Sequence, residues 1–384
     1  MTKMLADSAR NRRVIRSTIL ILQSYGPFCL AYTIWVLAAR TWQPLSFGKD
    51  GFLNNWMLWC TWFPEALFFL FFQVYARSIQ AEAIHPPKRT RDERLALFSK
   101  VRSEIYDPVS YLSGWFRGSK VEDIGREEMR RFCDWAFWEG RAEKAEEKGD
   151  ADEIEGYIQK VEKMMPGPFP EGEGKAKSLR LTLDPIEIEA RSLLWYGLIM
   201  LADTIAVALL IAKGFMYFRR SLRGTVSVFP PRPAAFCTRN VSSVPDYSYF
   251  LREHTSKSRL PIVYIHGIGI GLLPHVGFLD ELHAELNAGA PEDDRVGILA
   301  IEILQVSSRL TTPIPRRAEF LAQMFRLIDQ HFGTGRFVLF GHSYGSVLCT
   351  HIMNDARLAP RISGTLLVDP VSILLHMPDV AYNL

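Results

Sequence analysis

The feature that most constrains this chain is a pentapeptide, Gly341-His342-Ser343-Tyr344-Gly345, set between an apolar run and a helical stretch. Phe337–Phe340 is short, apolar and suited to a pleated sheet, so it reads as a strand. Ser343–Met353 reads as a helix. Passing from one to the other in so few residues demands a sharp turn on the serine. Glycines two positions to either side leave room there for neighbouring backbone. Such a turn lifts the hydroxyl above the sheet and sets it at a helix N-terminus, where developing negative charge is favoured. Ser343 is therefore the candidate nucleophile.

The flanking pattern agrees with that turn. Ile262–Ile265, Val296–Ile303 and Gly364–Val368 read as further strands, Val276–Leu286 and Arg316–Phe332 as helices, with Pro315 suited to a first helical turn. Strands alternating with helices predict a parallel sheet with right-handed crossovers. The fold class is therefore α/β: a partial α/β sheet at the C-terminal end, preceded by a helical, membrane-associated N-terminal region.

A second element follows the first of these strands, His266-Gly267-Ile268-Gly269-Ile270-Gly271. Acyl transfer needs two donors aimed at the developing oxyanion. The backbone N–H of Tyr344, next after the serine, is one candidate, and that of Ile268 is the other. Gly267 and Gly269 let backbone approach a substrate closely. A dinucleotide-type phosphate loop is disfavoured, because the glycine spacing is wrong and no acidic residue follows at the end of a second strand.

A strand followed by His-Gly, then a later strand running into Gly-His-Ser-Tyr-Gly, resembles the α/β-hydrolase superfamily. The strings Tyr264–Gly271 and Leu367-Val368-Asp369-Pro370-Val371-Ser372 resemble a group of fungal, membrane-anchored α/β-hydrolase-domain proteins. The superfamily resemblance covers about Pro261–Leu384. It implies Ser343 as nucleophile and Tyr344 and Ile268 as oxyanion donors, with His266 in the oxyanion loop and His342 supporting the turn. The family order is serine, then acid, then histidine. Asp369 stands where a minority of such enzymes keep the acid; it is equally placed to cap a loop or helix. His376 is the sole histidine beyond it, and Ile373-Leu374-Leu375 between them reads as packed. On this resemblance the chain is expected to be a C-terminally shortened form. The implied activity is a serine hydrolase acting on ester or lipid-like acyl groups, with no cofactor and no metal. An acyltransferase on the same fold, or a catalytically incomplete membrane or interaction protein, are the alternatives.

Three apolar segments precede the sheet, about Thr18–Ala39, Trp56–Tyr75 and Leu193–Phe218. Each is near the roughly 20 residues that cross a bilayer. They hold Gly26-Pro27, Pro64-Glu65 and Asp203 respectively, and Pro64 marks the second as a candidate re-entrant hairpin. Val36 and Ala38 would also fit cleavage of a leader. Basic residues before the first segment and after the third both prefer the cytoplasmic side. Between the second and third segments the chain is charged and helical, with Phe132, Trp135, Ala136 and Trp138 near helical spacing for a core, an aromatic wall for a lipid chain being the alternative, and Arg141–Glu155 as a solvated face. Pro230-Pro231-Arg232-Pro233 reads as a stiff linker.

Five regions follow. Residues 1–78 form a membrane region with two apolar helices, 79–190 a charged helical region and 191–220 a third apolar helix. Residues 221–258 form a linker with the first sheet elements, and 259–384 the hydrolase domain. With 45 Lys and Arg against 42 Asp and Glu in 384 residues, the balance does not point to nucleic acid as a partner. The expected partners are the membrane and a small-molecule or lipid acyl substrate. The five cysteines have neither disulfide-framework nor metal-site spacing, and no sequence signal bears on oligomeric state.

Overall fold

The computed structural model describes residues 9–42, 56–80, 87–141, 148–181, 186 and 188–382. Two long helices come first, α1 (Ala9–Trp42) and α2 (Trp56–Ile79). Four shorter ones follow, α3 (Arg91–Ser103), α4 (Pro108–Trp115), α5 (Arg126–Cys133) and α6 (Lys148–Glu162). Beyond α7 (Leu193–Ala212) strands and helices mix: β1 (Met216–Phe218), α8 (Leu222–Val226), β2 (Ser248–Arg252), β3 (Ile262–Ile265), α9 (Val276–Leu286) and β4 (Ile298–Glu302). Then come α10 (Arg317–Phe332), β5 (Phe337–His342), α11 (Gly345–Met353), β6 (Ile362–Val368) and α12 (Pro378–Tyr382). The chain forms two compact units, Met1–Phe71 with Ala190–Ile373, and Phe72–Glu189 with Leu374–Leu384.

The first unit holds a six-stranded sheet in the order β1-β2-β4-β3-β5-β6. β3, β4, β5 and β6 run parallel, while β2 is antiparallel to both β1 and β4. This is an α/β fold. Alternation along each strand feeds two apolar layers. Val263, Ile265, Leu299, Ile301 and Leu339 meet α10 and α11 through Met324, Leu327 and Leu348. Ile262, Tyr264, Ile298, Ala300 and Phe340 meet α7 and α9 through Val207, Leu210 and Leu279. The path from β3 leads to β4 on one side, then over β3 to β5 on the other. The carboxyl ends of β3 and β5 therefore flank a topological switch point, where open α/β sheets bind ligands.

Several expectations are corrected here. The third apolar segment does not continue as helix to Phe218. It stops at Ala212, turns at Gly214 with φ +77°, and returns as β1 along the sheet edge. One side of α7 is buried, and its Val207 and Leu210 join the sheet's apolar layer while Tyr196 packs on Phe68 and Phe229. Asp203 lies on that inner side. It pairs with Arg232 at 2.9 Å and Arg309 at 2.8 Å, and Arg232 reaches Glu302 on β4 at 2.6 Å. The Pro230–Pro233 stretch is thus no free linker, since Arg232 is only 3% exposed. Pro64 does not fold α2 back into a hairpin, because α2 runs through it unbroken. Glu65 accepts a hydrogen bond from the Leu193 N–H at 2.8 Å, so an acid caps the positive end of α7.

In the second unit, α3 opens with a Thr90–Glu93 capping box. Its Arg94 is buried between Glu153 at 2.6 Å and Asp150 at 3.4 Å and lies 4.4 Å over the Trp138 ring. The stretch from Lys148 on therefore turns two of its acids inward, against the solvated-face reading; 142–147 lie outside the described residues. Trp138 joins a closed core with Phe98, Tyr157 and Ile158. Phe132 and Trp135 are half-buried and pack against that core, and Ala136 is half-buried. Ile373, Leu374 and Leu375 are 48–56% exposed, so that stretch is not packed as expected.

Candidate functional site

β5 delivers Ser343 as the reading of the pentapeptide requires. The serine has φ +50°, a left-handed conformation that costs a non-glycine residue about 1–2 kcal/mol. Neighbouring chain over-determines it. The Ser343 N–H donates to the Val368 carbonyl at 2.9 Å, and the Ser343 carbonyl accepts from the Ser346 N–H at 2.9 Å. A methyl group on Gly345 would lie 2.3 Å from the Ile265 carbonyl oxygen, and one on Gly341 2.6 Å from Cys349 Sγ. The two glycines are thus demanded by β3 passing beneath the turn and by α11 packing above it.

The His266–Gly271 loop arrives from the end of β3. A side chain on Gly267 would strike Ser343 Cβ at 2.6 Å and the His342 carbonyl at 2.9 Å. Backbone of the loop therefore abuts the serine directly. Gly269 is tied on both sides to the loop after β4: its N–H donates to the Val306 carbonyl at 2.9 Å, and its carbonyl accepts from Ser308 Oγ at 2.7 Å. Among the described residues, neither the Ile268 N–H nor the Tyr344 N–H has an acceptor within the chain. Tyr344 sits at the N-cap of α11, at the positive end of that helix. Ile268 is exposed.

His266 acts as a bolt. Its Nε2 accepts from the Ile303 N–H at 2.9 Å, which leaves Nδ1 as the donor to the Gly267 carbonyl at 2.7 Å. The ring is fully buried, and burial holds it below its ordinary range, in the neutral form those two bonds need. His342 places its ring 5.0 Å from that of His275, with its own Nδ1 buried and unpartnered. His275 is a site residue that the sequence did not disclose. Burial, with His266 and His342 beside it, pushes its imidazole down to about 4. Ser346 was missed as well. Its buried hydroxyl accepts from the Val371 and Ser372 N–H groups at 3.1 Å, drawing the chain after β6 onto the nucleophile helix.

Asp369 stands at the end of β6, exposed, with φ +47°. It makes no hydrogen bond or ion pair among the described residues. His376 belongs to the second unit, where its ring lies 3.5 Å from Glu104 and its carbonyl accepts from Tyr111 and Trp115. No imidazole is hydrogen-bonded to Ser343 among the described residues, nor do His, Cys, Asp and Glu side chains there gather into a set that would hold a metal.

No protein-family model matches the chain, and no curated protein matches it. Solved structures do. An alpha/beta superfamily hydrolase from Oenococcus oeni is 21% identical, covering 33% of this chain and 42% of its own, with a TM-score of 0.21. A carboxylesterase from Bacillus subtilis is 12% identical, covering 45% and 50%, with a TM-score of 0.29. An esterase from a Rhodococcus species is 16% identical, covering 32% and 42%, with a TM-score of 0.23. The chain spans half or less of the length of these proteins. The α/β assignment rests on strand order, crossovers and the turn at Ser343.

Proposed function

We propose that this chain is a membrane-anchored serine hydrolase of the α/β-hydrolase type, acting on ester or lipid-like acyl groups through an acyl-enzyme on Ser343. One observation carries the reading: Gly267 backbone abuts Ser343, with an acceptor-free amide on each side, at Ile268 and at Tyr344. A carbonyl over Ser343 Oγ would direct its oxygen to those amides. Attack forms the Oγ–C bond and moves the carbonyl electron pair onto that oxygen. The two N–H groups stabilise it, an arrangement worth about 2.7–4 kcal/mol per donor in related chemistry. Collapse expels the alcohol, which carries away the proton, and water then releases the acid. Asp369, ending the strand next to β5, serves this reading as the acid of the site.

Two helices support anchoring by length and composition, Ala9–Ala38 and Leu193–Ala212. On the second, Leu194, Leu198, Leu201, Ile205 and Leu209 form an outward apolar stripe, each 41–63% exposed.

Among the described residues no imidazole is bonded to Ser343, which favours a second reading, a protein that binds an acyl group at this turn without turning it over. A fluorophosphonate probe separates the two, because it labels only an activated serine. Labelling of the full chain that vanishes in Ser343→Ala supports the hydrolase. An unlabelled, folded chain rejects it in favour of the binding protein.

A further inference from the structure

The second unit contains a cavity of about 410 Å³ that the proposed chemistry does not use. That volume lies in the range of roughly 300–1,000 Å³ typical of ligand pockets. Its walls come from α3, α4, α5, the turn after α5 and the end of α6 with the residues just beyond it, including Val101, Trp115, Phe132, Trp135, Phe137 and Met164. Residues Asp134–Trp138 form a single π-helical turn, an insertion that helices keep mostly at functional sites. It sets Trp135, Ala136 and Phe137 along the cavity instead of burying them. Phe98 stands at the edge of this space and stacks on Tyr157 behind it at 4.6 Å.

The polar atoms around this space have other engagements. Tyr111 Oη and Trp115 Nε1 both donate to the His376 carbonyl, at 2.7 and 3.2 Å. Glu139 at the wall is paired with Arg141 at 2.5 Å, and the His376 ring lies 3.5 Å from Glu104. One lining charge is left over. Arg102 is exposed at the cavity and has no anionic partner among the described residues. A dry wall with a lone guanidinium beside it matches an alkyl chain ending in a carboxylate. We propose that this cavity binds a long-chain carboxylic acid, its chain along Trp135 and Phe137 and its head at Arg102. Met164 and Met165 would adapt the wall to chains of different length. The proposal does not depend on Ser343, and Ser343→Ala is the background for its test.

The test uses the full chain carrying Ser343→Ala, in neutral detergent micelles, with palmitate bearing a chain diazirine. Illumination and peptide mapping should place label on the α3 segment around Val101 and on the π-helical turn. Arg102→Glu, an exposed change that leaves the core intact, should lower palmitate labelling about tenfold, a loss of about 1.4 kcal/mol in binding. The same diazirine on hexadecanol should change less than about twofold. Ala136→Trp, which fills the space, should abolish labelling by both probes. Label confined to α1, α2 and α7 overturns the cavity. Palmitate labelling that Arg102→Glu does not weaken, or weakens equally with hexadecanol, overturns the carboxylate.

Discussion

Arg232 offers the sharpest test of how α7 is held. Its guanidinium grips two carboxylates at once. Nε and Nη2 donate to Asp203 at 3.0 and 2.9 Å, and Nη1 and Nη2 donate to Glu302 at 2.8 and 2.6 Å. All three side chains are at most 5% exposed. Arg232→Met keeps the apolar stem and removes the charge. Asp203 retains Arg309, but Glu302 loses its directly paired cation, keeping only the Ser248 hydroxyl as a hydrogen-bond partner and the more distant charge of Arg309. Breaking a buried pair this way costs about 3–5 kcal/mol, against a total stability of roughly 5–15 kcal/mol. For a domain of 150–250 residues that corresponds to a midpoint about 10 °C lower. The pH dependence should also reverse. In the native chain burial alone would raise Glu302, but Arg232 outweighs it and holds the carboxylate below its ordinary range. That stability is present above the unfolded value and lost as pH falls through the folded one. Without Arg232 burial prevails, the Glu302 value rises, and the variant loses stability as pH climbs. Thermal unfolding in micelles at about pH 5 and about pH 8 should show the variant's deficit narrowing in acid. Adding Glu302→Gln should recover more than half of the loss. A variant within about 1 kcal/mol of the native chain, or a deficit unchanged by pH and by Glu302→Gln, would refute the network as the anchor of α7.

Other expectations follow from the turn. Ser343→Gly should raise stability by about 1 kcal/mol in denaturant titration, because glycine tolerates the positive φ. Gly345→Ala forces a methyl onto the Ile265 carbonyl and should destabilise by about 3 kcal/mol or more by the same titration. Gly267→Ala presses on Ser343 itself; it should lose fluorophosphonate labelling while the chain stays folded by circular dichroism. His275, pushed down to about 4 from an ordinary 6.5, makes the unfolded state bind more protons in that window. Stability should therefore fall as pH drops from 6.5 to about 4, and His275→Gln should flatten that slope in thermal melts.

What the sequence disclosed was local. β3 and α9 fall on their expected boundaries, and α10, β5 and α11 within two residues of theirs, because each is a short apolar run or a clear helical period. β1 was hidden, since Met216–Phe218 continues an apolar stretch whose helix ends at Ala212, just before the left-handed Gly214. β2 is defined by pairing with strands 33 and 54 residues away in register, as Tyr217 with Phe250 and Ser248 with Glu302. Asp203 looked like a blemish in a membrane helix because its partners Arg232 and, through it, Glu302 lie 29 and 70 residues further on from one link to the next. His275 follows a proline in a short turn, and nothing in its neighbours announces two other imidazoles. Ser343 and the His266–Gly271 loop were read together from the sequence, because such a turn admits few residue types, and the structure brings Gly267 against Ser343.

The tie between α7 and the sheet has a mechanical side. A tethered domain would ride on slack chain, indifferent to whatever its anchor does. Here Asp203 couples the helix through Arg232 to Glu302 at the end of β4, and the loop that follows β4 holds Gly269. Where the outer stripe of α7 lies in lipid, a change in bilayer thickness or tilt becomes a load on the loop beside Ser343. On the proposed anchoring, membrane composition would then act as a tuning variable of the candidate site.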